Sequence, residues 1–167
     1  MVGVDAIAHT ASPFHFHADD PDELIVPAME GVKSVLASAL KHGNTVKRII
    51  ITSSIVTMAN PSVIPAVVDE NDWNVWSVEE VRTKGRNANA LDKYRASKVL
   101  AERAAWDLYT ANKAKVSWDL VTVHPGFVMG PWLQDAKSVE ELSQSVRDFY
   151  AFGLKAQLSE EVLATDG

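Results

Sequence analysis

Cysteine is absent from the 167 residues, so disulfides, thiolate zinc sites and a cysteine nucleophile are all excluded. Such a chain is compatible with a reducing compartment, and a cytoplasmic location is the expectation. Uninterrupted apolar stretches run for only a few residues, too short for a helix that crosses a bilayer. The opening MVGVDAIAHTASP has no basic segment, and His9 and Ser12 break its apolar run, so no cleaved leader is expected. Dense Lys/Arg blocks are also missing, and the net charge is −6 from 22 acidic and 16 basic residues. Nucleic acid and membranes are therefore not expected partners. Repeats and low-complexity segments do not occur. What remains is 47% apolar and 23% charged, the proportions of a soluble domain with enough chain to bury a core.

Three β-branched runs read as strands: residues 2–9, 46–52 and 116–123. The first shows no strict alternation, which suits a strand covered on both faces. Between the first two, Asp20-Pro21-Asp22-Glu23 is a helix start, with Asp20 as cap, Pro21 in the first helical position and Glu23 three residues past the cap. Leu24, Ala28, Val32, Val35, Leu36 and Ala39 follow at helical spacing, and Gly43 is the stop. Pro27 is placed near the first turn, where proline is tolerated. Residues 59–90 carry Pro61, Pro65 and Gly85 and read as loop, with one helical turn over 77–82. A second helix is expected over 92–112, with Val99, Leu100, Ala104 and Leu108 as its apolar face.

Strands separated by crossovers longer than a dozen residues pair in parallel with right-handed connections. The expected fold is α/β, part of a Rossmann-type doubly wound sheet with a polar helical tail. Residues 1–133 form its catalytic portion and 134–167 the tail that begins a substrate-binding region. Ligands in such sheets bind beyond the carboxyl ends of the strands. That singles out residues 9–13, 53–55 and 124–131.

Tyr94-Arg95-Ala96-Ser97-Lys98 places a phenol and an ammonium one turn apart on one helix face. A neighbouring cation favours the phenolate, which tunes the tyrosine for proton exchange with a carbonyl or alcohol. Ser54, at the end of the second strand, offers a hydroxyl to the same oxygen. Phe14-His15-Phe16-His17 with Asp19 and Asp20 has the residue types of a metal site, yet reads better as an ordinary loop. His9 and His124 read as pocket lining or core groups. Ser53-Ser54 lacks the glycines of a hydrolase elbow, since Ile51 and Ile55 stand in their places.

The segments VDAIAHTASP (residues 4–13), LIVPA with Gly31, VKRIIITSS (46–54), DENDWN (69–74), YRASK (94–98) and HPGFVMGP (124–131) occur in that order. Together they resemble the extended short-chain dehydrogenase/reductase family, in its branch of dihydroflavonol reductases and fungal aldehyde and ketone reductases. The resemblance implies an NADP(H)-dependent enzyme, with NAD(H) as the other option, that reduces a small ketone or aldehyde. It makes Tyr94 the general acid, Lys98 a ligand of the nicotinamide ribose that lowers the Tyr94 pKa, and Ser54 a guide for the substrate oxygen, with Ser53 as the competing serine. Thr10, Ala11 and Ser12 would lie along the cofactor, and Pro125, Gly126, Phe127 and Val128 would line its nicotinamide pocket. No metal is implied.

The family's Gly-rich turn has no counterpart among the glycines at 3, 31, 43, 85, 126, 130, 153 and 167. By the same resemblance, the chain opens at the family's fourth strand and lacks most of the substrate-binding portion. The first strand would then be a sheet edge that draws in a second copy, and dinucleotide affinity of this chain alone would be weak. Two other readings follow from the same residues. One is a catalytically silent fragment or interaction module, the other an epimerase or dehydratase built on the same trio.

Overall fold

The computed structural model describes residues 3–61, 67–128, 130, 133, 135–138 and 141–153. One parallel sheet runs in the order β1 (Ala6–His9), β2 (Arg48–Thr52), β3 (Asp119–Val123). Ala8 lies opposite Ile50, and Ile50 opposite Val121. Val2 falls outside the described residues, and the other two strands start later than their β-branched runs. Val46 and Trp118 are buried but precede the ladder. Apolar content there marks burial rather than strand pairing.

The helix between β1 and β2 is α1 (Asp22–His42). Pro21 already has helical angles (φ −53°, ψ −32°), so the cap sits where the sequence puts it. Asp20 Oδ1 accepts from Asp22 N at 3.0 Å, and Glu23 Oε1 accepts from Asp20 N at 2.9 Å. Five of the six residues at helical spacing are buried, and Val35 is half-buried. Pro27 falls in the second turn rather than the first, on the exposed side, where water can serve the Glu23 carbonyl it leaves unbonded. Gly43 ends the helix for reasons of space. A Cβ there would stand 2.5 Å from the Ala39 carbonyl oxygen.

Residues 59–90 are not only loop. They contain α2 (Val75–Lys84), three turns where one was expected. Asn74 caps it by accepting from Ser77 N at 3.0 Å, and its amide donates to the Val56 carbonyl at 3.0 Å. Asn74 is wholly buried, so a polar side chain rather than an apolar stripe anchors this helix. Gly85, at φ +53°, closes it.

The last long helix is α3 (Ala90–Asn112). Its buried face carries Tyr94, Lys98, Ala101, Glu102, Ala105 and Tyr109, whereas Leu100, Ala104 and Leu108 are only half-buried. Of the expected apolar face, Val99 alone is fully buried. Small residues win the inner positions because α1 packs closely there. Ala28, Val32, Leu36 and Ala39 of α1 share one cluster with Ile49, Ile51, Ala101, Ala105, Tyr109, Trp118 and Leu120. Both crossover helices therefore cover the same face of the sheet. Two right-handed crossovers stepping the same way across a sheet require that. On the opposite face Ala6, Ala8 and Val123 are exposed and Ile50 and Val121 half-buried, so β1 is not covered on both sides among the described residues.

The chain divides into two compact units, Met1–Gly126 and Phe127–Gly167. In the second, residues 144–153 are helical, and the tail from 154 onward lies outside the described residues.

Candidate active site

Hydrogen bonds continue past the strand ends and fix the loops that follow. Ser53 N donates to the Val123 carbonyl at 2.8 Å, and Ile55 N to the Pro125 carbonyl at 3.0 Å. Thr10, Ala11 and Ser12 leave β1, Ser53 and Ser54 leave β2, and Pro125 and Gly126 leave β3, all at the carboxyl edge. Phe127 and Val128 belong to the second unit.

The two serines after β2 point to different partners. The Ser54 oxygen caps the 3-10 turn Ile55–Thr57, accepting from Val56 N at 3.4 Å. Its hydroxyl also acts on the Tyr94 phenol as a hydrogen-bonding neighbour. Ser53 instead donates to Glu102 Oε2. The two adjacent serines thus answer residues two turns apart on helix α3, Ser54 to Tyr94 and Ser53 to Glu102.

Burial pushes the Tyr94 phenol above its ordinary pKa of 10.0, and Ser54 only partly opposes it. This corrects the expectation that Lys98 lowers it. The lysine is itself buried, and burial lowers its pKa while the Glu102 carboxylate acts to raise it. Its field falls on His9, whose pKa is lowered first by burial and then by Lys98. Tyr94 is thereby kept as a neutral proton donor at neutral pH rather than made a phenolate.

Lys98 Nζ forms no hydrogen bond to a described residue. The lysine lines a cleft with His9, Ala11, Ser12, Ser53 and Glu102. Across that cleft the His9 Nε2 atom is buried without a partner. An ammonium with no hydrogen bond to a described residue, a ring nitrogen without a partner and the Ser12 hydroxyl make a polar set suited to the sugar and phosphate oxygens of a dinucleotide, while Ser53 keeps its proton on Glu102. The residues present fit that group. Thr10 is exposed and outside the cleft lining.

Around Tyr94 the loop after β1 supplies aromatic rings. Phe14 lies 4.8 Å and Phe16 6.2 Å from it, centroid to centroid. Sequence reasoning prefers an ordinary loop to a metal site for Phe14 to His17 but misses that its two phenylalanines wall the phenol. It also misses Glu102. The signal was the stripe Tyr94, Lys98, Glu102 at spacing four along one helix.

The same segment is tied down by cations. Lys93 Nζ donates to the Ala18 and Asp19 carbonyls at 3.1 and 2.6 Å, and Arg86 reaches the Asp19 and Asp20 carboxylates at 3.0 and 3.2 Å.

The lowered Lys98 pKa carries a stability consequence. A charged lysine that burial disfavours weakens the fold below its folded-state pKa, and the penalty disappears above the ordinary lysine value of 10.5. Lys98→Met is therefore expected to raise the urea midpoint at neutral pH. That gain should shrink as pH rises toward 10.5, and a gain that stays constant with pH would contradict the assignment.

A family described as "Male sterility protein", an NAD-binding family, matches residues 1–163. Ketoreductase azaE of Aspergillus niger is 37% identical over 149 residues, covering 87% of this chain and 42% of that protein. The NADPH-dependent methylglyoxal reductase GRE2 of Saccharomyces cerevisiae is 33% identical over 147 residues, covering 85% and 42%. The crystal structure of yeast methylglyoxal/isovaleraldehyde reductase Gre2 with NADPH superposes with a TM-score of 0.68 at 30% identity, over 78% of this chain and 38% of that one. The chain thus spans about two-fifths of the length of these relatives.

Proposed function

Because this chain belongs to the extended short-chain dehydrogenase/reductase family, we propose that it carries the Ser-Tyr-Lys site of an NADPH-dependent reductase of small ketones or aldehydes. The observation that carries this is a buried Tyr94 phenol with the Ser54 hydroxyl as its hydrogen-bonding neighbour, and Lys98, one helical turn on, lining the cleft beyond the strand ends. NADPH, when bound, supplies the hydride. Tyr94 gives its proton to the carbonyl oxygen, and Ser54 holds that oxygen in line with the phenol. Lys98, with Ser12 and His9 nearby, takes the cofactor's polar groups. Phe14 and Phe16 shield the phenol from water. The printed names of the relatives favour NADPH over NADH.

Incubation of the chain with saturating NADPH and a panel of aldehydes and ketones tests the reading. Carbonyl-dependent oxidation of NADPH is the expected result. Wild type and Tyr94→Phe equally inert would assign the chain to the silent alternative. Turnover of a nucleotide sugar or hydroxy substrate without net NADPH consumption would point to epimerase or dehydratase chemistry.

A further inference from the structure

Glu102 is a carboxylate only 4% exposed, and it takes donors from three directions. Ser53 donates to Oε2 from the end of β2. His124 Nε2, at the end of β3, lies 2.9 and 3.0 Å from the two carboxylate oxygens, so that nitrogen must carry a proton. Trp106 Nε1 donates to Oε1 at 3.4 Å from the next turn of α3. A buried carboxylate with this many donors is held rigidly and stays put when a ligand enters.

Its position on the helix gives that rigidity a use. Glu102 stands one turn beyond Lys98 on the same face, and both line the cleft. The charged and polar groups that face the lysine are few. From its own helix it is Glu102, from the β1 end His9 and Ser12, and from the β2 end Thr52 and Ser53, with Tyr94 one turn back on the helix. Helix α1 contributes only apolar Val32. No described residue accepts a hydrogen bond from the ammonium, and Glu102 is the one anion in that set.

We propose that Glu102 is a positioning residue: tied to both strand ends through Ser53 and His124, its carboxylate is the buried countercharge that keeps the Lys98 ammonium charged and in place at the cleft. The use to which Lys98 is put rests on the reductase reading. The charge coupling itself does not. Glu102→Gln keeps the size and one accepting oxygen but removes the charge, so it separates countercharge from packing.

The test follows the Lys98 side-chain signal by NMR in the full chain with isotope-labelled lysine, the signal being assigned by its loss in Lys98→Met. In Glu102→Gln the lysine is expected to lose its proton at a pH lower by about one unit, from a pair one helical turn apart at an intermediate dielectric. The thermal midpoint, read alongside, establishes that the variant is folded. A folded Glu102→Gln whose lysine titrates as in wild type would overturn the proposal. Should Glu102→Gln not fold, Glu102→Asp takes its place, since it retracts the charge by one methylene. A smaller downward displacement supports the coupling, and a wild-type titration overturns it. Turnover of NADPH is measured on the same samples. Inert wild type with a displaced lysine titration defeats the reductase reading alone, and an active wild type with an unmoved titration defeats this proposal alone.

Discussion

Tyr94→Phe is expected to lower kcat for carbonyl-dependent NADPH oxidation by about 10²–10⁴-fold, the range for losing a positioned general acid. In barrier terms that is about 3–5 kcal/mol. The substitution removes one oxygen and leaves the ring, which packs against Phe14 and Phe16 with Ala18 and Leu24 in the same cluster. Fold and cofactor affinity should therefore be retained, and the loss should appear in kcat rather than in the KM for NADPH. The phenol's raised pKa adds a pH signature. Because the protonated form is the working one, activity should persist up to and beyond the ordinary tyrosine value of 10.0, provided other groups allow it. A Tyr94→Phe enzyme with kcat within threefold of wild type would remove the phenol from the chemistry.

The largest expected effect on stability lies at the other end of the core. Leu36, on the inner face of α1, is fully buried in one cluster with Ile49 and with the small residues Ala101 and Ala105 of α3. Leu36→Ala removes its transfer free energy and leaves a hollow that alanine neighbours cannot fill, for a loss of about 2–5 kcal/mol. Domains hold a total of about 5–15 kcal/mol, so this one change removes a large share. Urea denaturation should show a lower midpoint with an unchanged slope. Val35→Ala, on the half-buried side of the same helix, is expected to move the midpoint much less. Equal shifts at the two positions would mean that α1 buries a different face.

Much of the architecture is written in local pattern. The three strands and both crossover helices follow from β-branched runs and from an apolar spacing with its own cap, as at Asp20 to Leu24. Where local pattern gives out, polar side chains do the structural work. Helix α2 is secured by Asn74, buried and bonded to Val56 and Ser77, and burial of an asparagine leaves no trace in hydrophobic periodicity. Helix α3 turns its polar stripe inward because the strand ends and α1 supply partners for Glu102 and room for Ala101 and Ala105. Such partners come from distant segments, so one-dimensional spacing ranks Leu100 and Leu108 too highly. At the site, the spacing of Tyr94 and Lys98 is legible in the sequence, while the direction of the tyrosine's pKa is not. That direction depends on how much water the fold removes.

The stapling of the aromatic segment by two different cations implies an unequal response to ionic strength. Arg86 makes its contacts with Asp19 and Asp20 in open solvent, whereas Lys93 is 5% exposed and bonds to backbone carbonyls. At about 1 M salt the screening length is about 3 Å, enough to loosen the arginine but not the shielded lysine. Phe14 and Phe16 should hold their tilted and edge-on contacts with the phenol ring in concentrated salt, even as the outer acidic corner works free.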